Sequence, residues 1–152
     1  MTDSVATESV VQGMRIACPD GWADKSMLIL NGNEPGPSGV IPNLVVSREA
    51  APDDLPTDRA ARLETFVDRQ IKQMRRSLPG LTEVARQHAT AAQWSAELKI
   101  NWNSGDVPLS QWVTYANAGG DTFIIATATA GRDDFASFEP VFQTMLQTVR
   151  LT

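Results

Sequence analysis

The chain has 152 residues, enough for one domain with a sizeable core and too few for two of ordinary size. Apolar residues make up 42% and charged residues 20%, a globular balance that excludes a fully disordered chain, and no run approaches the roughly 18 apolar residues of a membrane-spanning helix. A formal charge of −5 argues against sequence-independent nucleic-acid binding, the single Cys18 excludes an internal disulfide and a cysteine-cluster zinc site, and the single His88 excludes a histidine-rich metal site.

Residues 1–12 are small and polar around Val5, Val10 and Val11, which predicts a loose segment with a short edge strand near Val10. Residues 13–152 then form a single domain. The opening Met1–Ser4 carries an acid and lacks a basic n-region, and no apolar h-region follows, so no export signal is expected and the chain reads as cytoplasmic. Met14–Cys18 alternates and meets Pro19-Asp20-Gly21, a strand stopped by a turn. Met27-Leu28-Ile29-Leu30 predicts a short strand, and the glycines and prolines from Asn31 to Pro42 predict a loop. Leu44-Val45-Val46-Ser47 is a further apolar strand, and Ala50 to Pro56 leads into a helix.

That helix is capped by Thr57 or Asp58, runs to about Ser77 and is stopped by Leu78-Pro79-Gly80. One i+4 row holds Leu63, Val67 and Ile71; the adjacent row holds Phe66, Gln70, Met74 and Leu78. Arg62, Asp68, Arg69, Lys72, Arg75 and Arg76 occupy the opposite face. The apolar face is therefore wide, and Gln70 sits inside it.

After Gly80 the period becomes two. Leu81–Thr90, Gln93–Asn103, Leu109–Ala116 and Thr122–Ala130 read as four strands joined by hairpin turns at Ala91-Ala92, Ser104-Gly105-Asp106 and Ala118–Asp121. Phe138, Val141, Phe142, Met145, Leu146 and Val149 then recur at helical spacing, with Ser137 as cap and Pro140 in the first turn. The fold class is α+β: one antiparallel sheet with a middle helix and a C-terminal helix. Met27–Leu30 and Leu44–Val46 are apolar toward both sheet faces. If both helices cover one face, a partner, a second copy or a ligand must cover part of the other.

No catalytic constellation emerges. Cys18, Asp20 and Asp24 lack a base with matching spacing, so an enzyme acting through them is disfavoured. His88 has polar neighbours, and Asp53-Asp54 and Asp133-Asp134 lie at helix approaches, where acids favour the macrodipole. Gly119-Gly120-Asp121 lacks the following helix of a phosphate loop. Gln70 alone calls for a partner, a backbone group in the core or a group across a cleft, because an amide in an apolar row costs free energy when unpaired. The residues alone reach a non-enzymatic binding module without cofactor or metal.

The motifs add a resemblance. Pro19-Asp20-Gly21-Trp22-Ala23-Asp24-Lys25-Ser26, Val46-Ser47-Arg48-Glu49, Phe66–Ile71 followed by Leu78-Pro79-Gly80, then Trp102, Gln111-Trp112-Val113 and Thr127-Ala128-Thr129 resemble, in order, motifs of the DcrB-like proteins, which have a PsbP-like fold. The match spans roughly residues 14–151. Within that group, an acidic chain without export signal or lipobox cysteine is similar to the Eag chaperones of type VI secretion. The resemblance implies a homodimeric adaptor that binds the N-terminal transmembrane helices of Rhs- or PAAR-type effectors and supports their loading onto the VgrG spike, without itself entering a membrane. It also implies a client groove lined by Met27, Ile29, Val45, Ser47, Gln70, Met74 and Leu78, with either Gln111 or Trp112 as its polar strand position. Leu63, Val67 and Ile71 would then build the core. A binding module of the same fold with another protein or a small ligand as client is the alternative.

Overall fold

The computed structural model describes residues 7–11, 13–93, 95–119 and 121–150, with side chains from residue 13 onward. In chain order the elements are β1 (Thr7–Val11), β2 (Met14–Cys18), β3 (Leu28–Asn31), β4 (Asn43–Ala50), α1 (Arg59–Ser77), β5 (Thr82–Gln87), β6 (Ser95–Ser104), β7 (Val107–Asn117), β8 (Thr122–Gly131) and α2 (Phe135–Gln147). β1 and β2 form a hairpin of their own. The other six strands make one antiparallel sheet in the order β3-β4-β8-β7-β6-β5. β1 includes Val10, where a short strand is expected within an otherwise loose segment. Residues 1–6 and 12 lie outside the described residues, as do Trp94 in the connection before β6 and Gly120 in the β7–β8 turn.

Local chemistry sets the boundaries. Asp58 caps α1, its carboxylate accepting the Ala61 N–H at 3.0 Å. At the other end Pro79 cannot continue the ladder, and Gly80 takes a φ of 68° that suits a residue without Cβ. α1 then carries the chain from β4 across the sheet to the far edge. From there β5, β6, β7 and β8 return as successive hairpins until β8 pairs with β4. The β6–β7 turn is two residues, Gly105-Asp106, and Gly105 has a φ of 61°.

The two helices lie on opposite faces, which corrects the expectation that both cover one face. Phe123 and Ile125 of β8 join Leu98, Ile100, Val113 and Tyr115 in a core closed by Leu63, Phe66, Val67 and Ile71 of α1. Ala126, Ala128 and Ala130 of the same strand point the other way and join Leu44 and Trp112 beneath Phe135 and Phe142 of α2. The central strands are apolar on both sides because each side has its own helix.

α2 also starts earlier than its pattern predicts. Asp134, not Ser137, occupies the N-cap, so Pro140 stands past the first turn, where it removes one backbone N–H from the ladder. The Asp134 carboxylate does not cap the helix. It is buried and accepts from the Ser38 N–H at 3.1 Å and the Ser38 hydroxyl at 2.5 Å, tying the β3–β4 loop to the start of α2.

A polar clamp joins one flank of α1 to β5. Arg86 donates to Glu64 at 2.5 Å and pairs with Asp68 at 2.8 Å; Glu64 also meets His88 Nδ1 at 2.9 Å and accepts the Ala89 N–H. Burial pushes the Glu64 carboxyl up, but the hydrogen bonds from His88, Ala89 and Arg86 outweigh it and hold the group below the ordinary value of 4.5. A depressed folded value contributes stability above the unfolded value, and that stability is lost as pH falls through the folded one. Urea denaturation across the acid range should therefore show stability declining below about pH 4.5. Glu64→Gln should be less stable at neutral pH and decline less steeply in acid. Parallel curves for the two proteins would remove Glu64 from the acid response.

Candidate functional site

α1 rests over the β5–β8 side of its face. Its Glu64/Asp68 flank sits against β5 through Arg86, while Phe66 stacks on Phe123 of β8 with ring centroids 4.5 Å apart. On this face α1 leaves β4 and β3 uncovered. Register fixes what lies there. Ile29 pairs with Val45, which pairs with Thr127, and Ser47 pairs with Ile125. These positions share parity with Val113 and Ile125, so they project toward the α1 side. Val45, Ser47 and Thr127 are half-buried, and Ile29 is 58% exposed.

The edge strand is unusual on both faces. Met27, Leu28, Ile29 and Leu30 are each 49–58% exposed, four large apolar residues in succession. Isolated exposed apolar residues are ordinary, but a contiguous group on a sheet edge marks an interaction surface. Met27 stands one residue before β3. Gln70 is half-buried on the helix flank that carries Phe66, the side facing the uncovered strands.

The inner end of this uncovered surface is polar. Gln111 lies on the α1 face, where its Oε1 accepts from Trp102 Nε1 at 2.9 Å and its Nε2 donates to Thr129 Oγ1 at 2.9 Å. Trp112 lies on the opposite face, only 8% exposed beneath α2, so of the two expected alternatives Gln111 shares the face of Ile29 and Val45 and Trp112 does not. Met74 and Leu78 are half-buried and pack against the α1 core, so they support the helix as much as they border the open strands. The structure thus brings Ile29, Val45, Ser47, Gln70 and Gln111 to one side of the sheet. The residue pattern alone does not place Thr127, Thr129 and Trp102 in this set. The signal is the Thr-Ala alternation of β8, which puts threonines on one face and alanines on the other.

Among the described residues no group of three His, Cys, Asp or Glu side chains converges as a metal site. Asp24 is engaged locally, accepting from the Ser26 N–H at 2.8 Å and its hydroxyl at 2.5 Å. What the arrangement offers is an apolar strip with a few amides and hydroxyls, suited to binding.

Residues 14–148 match the DcrB family. The chain belongs to that family. No curated protein matches it by sequence. Among solved structures it is similar to PA94 of Pseudomonas aeruginosa, described as a protein of unknown function, with a TM-score of 0.77 and 22% identity over 98% of this chain and 99% of that one. It is also similar to cyanobacterial PsbP from Synechocystis, with a TM-score of 0.53 and 11% identity over 99% of this chain and 95% of that one. At such identities both likenesses speak for the fold, which is that of a DcrB-family, PsbP-like α+β domain.

The Gln111 network gives a stability prediction. Gln111→Leu leaves the Trp102 N–H and the Thr129 hydroxyl without their partner, at a cost of about 1–3 kcal/mol. Urea denaturation should register that loss, and adding Thr129→Val should recover part of it. A Gln111→Leu protein as stable as the parent would show that water replaces the network.

Proposed function

We propose that this DcrB-family protein is an adaptor chaperone of the Eag type, which shields the N-terminal transmembrane helices of Rhs- or PAAR-type type VI secretion effectors and supports their loading onto the VgrG spike. The observation that carries this reading is the uncovered α1-side surface of β3 and β4, continuous with the exposed run Met27–Leu30. A transmembrane helix presents about 20 apolar residues to water before insertion. A surface that holds it must be apolar and must also offer polar groups to the small and polar residues by which such helices pack. Ile29 and Val45 supply the first property; Ser47, Gln70 and Gln111 supply the second. The reading fits a chain in which no described helix is long and apolar enough to cross a membrane.

The reading includes a homodimer. The β1–β2 hairpin forms a sheet of two strands, an arrangement that is marginally stable unless covered. Its Ile16 is 71% exposed, and Trp22 beyond it is 77% exposed. In this reading a second copy covers these residues by symmetry. Light scattering at micromolar concentration should give twice the 16.5 kDa chain mass, and Ile16→Asp should shift the protein toward the single mass. A stable 16.5 kDa species for the parent would refute the dimer.

The client surface is tested by pairing binding with folding. Ile29→Asp sets a charge against an apolar helix, and desolvating it costs several kcal/mol, enough to weaken a micromolar interaction by roughly a hundredfold or more. Because Ile29 is exposed, that variant should melt like the parent, whereas Val67→Asp, at a fully buried position, should unfold the domain. The readouts are thermal melts and capture of an effector's N-terminal segment. A folded Ile29→Asp protein that retains this client at full affinity would move the groove elsewhere.

A further inference from the structure

The α2 face carries a cavity that the chaperone reading does not use. α2 lies over β4 and β8, where the small Ala126, Ala128 and Ala130 let it approach. Beyond its other flank, toward β6, a cleft of about 670 Å³ opens between helix and sheet. This falls within the volume range of small-ligand sites, roughly 300–1,000 Å³.

The floor follows from register. Glu97 pairs with Thr114, which pairs with Ala126; Ser95 pairs with Ala116, which pairs with Ile124. All six share parity with Trp112 and face α2. The helix wall is Glu139, Gln143, Leu146 and Gln147, spaced so that one side of α2 presents all four.

Two of the charges in this cleft cancel. Lys99 Nζ meets Glu139 Oε1 at 2.5 Å, bridging sheet and helix, and sits 5.3 Å from the centroid of the Trp112 ring. Glu97 is half-buried and has no hydrogen-bond or ion-pair partner among the described residues. Among the described residues the cleft therefore holds one uncompensated carboxylate and two buried N–H donors without partners, Trp112 Nε1 and Asn117 Nδ2, with an apolar strip of Ala116, Ala126 and Leu146 alongside. An anion is repelled there, and a neutral apolar ligand leaves the carboxylate unpaired.

We propose that this cleft binds a primary ammonium group on an aliphatic stem, with Glu97 as counter-ion and the stem along Ala116, Ala126 and Leu146. The ammonium belongs either to a free alkylamine or to a lysine side chain of a polypeptide. The site lies across the sheet from the client surface and does not depend on it.

Titration of the full chain with n-pentylamine, followed by calorimetry and NMR shifts, tests the assignment. Pentylamine should bind at least tenfold more tightly than 1-pentanol or pentanoate, and Glu97→Gln should lose at least tenfold for the amine alone. Ala116→Leu, which fills the strip, should weaken the amine without lowering the melting temperature appreciably. Tighter binding of Nα-acetyl-lysine methylamide than of pentylamine assigns the site to a polypeptide, and the reverse order assigns it to a free amine. No binding of either amine to the folded parent, equal binding of pentanoate, or full amine affinity in Glu97→Gln would each overturn the proposal.

Discussion

One helix is too narrow for six strands. Strands in a sheet lie about 4.8 Å apart, so six of them span roughly 24 Å, whereas a helix with its side chains is about 10–12 Å across. Each face here has a single helix, and each face therefore keeps an uncovered portion. α1 sits over β5 to β8 and leaves β3 and β4 open. α2 sits over β4 and β8 and leaves the β6 side open. The β3–β4 opening on the α1 face and the β6-side opening on the α2 face are diagonal to one another, the first apolar with amides at its margin and the second holding a carboxylate without a partner among the described residues, while β3 is exposed on both faces.

The diagonal placement follows from the chain path. α1 must carry the chain from β4 to β5, which lie near opposite edges, so it crosses over the strands between them. α2 follows directly after β8, whose α2-facing residues include three alanines at alternate positions. Small side chains let the helix axis approach the sheet, and Leu44 from the neighbouring strand completes the contact. The tie from Asp134 to Ser38 then fixes the β3–β4 loop to the start of this helix, so the uncovered edge strand remains anchored at one end.

Much of this was legible from residue pattern. Asp58 and Gly80 bracket α1, period two marks β6 to β8, and Gly105-Asp106 marks a tight turn, because each is a local rule set by backbone geometry. The face taken by α2 was not legible. Alternation states that two faces differ without stating which element covers which, and Ala126, Ala128 and Ala130 read as weakly apolar although they form a helix seat. Trp112 and Gln111 are adjacent, so a one-residue uncertainty in register exchanges their faces; the hydrogen bonds of Gln111 to Trp102 and Thr129 resolve it. Ser137 has a side chain suited to the helix cap, yet the helix begins at the tertiary contact of Asp134 instead.

The two free edges of the sheet carry opposite chemistry. Edge strands expose unpaired backbone groups, and soluble proteins blunt them with charges, bulges or short length. β5 has such protection: a register shift between Glu83 and Ala85, a pairing of Arg75 with Glu83, and the Arg86 clamp to α1. β3 is short but has no charged side chain, and three of its four residues are large, apolar and about half exposed. The edge opposite the guarded one is thus left apolar on both faces. Contact at β3 by a second copy or a client helix would bury Leu28 and Leu30 on one face and Ile29 on the other, and at about 25 cal/mol per Å² of apolar surface each such residue contributes roughly a kilocalorie. That gain is available at only one edge, which gives any assembly built on it a defined direction.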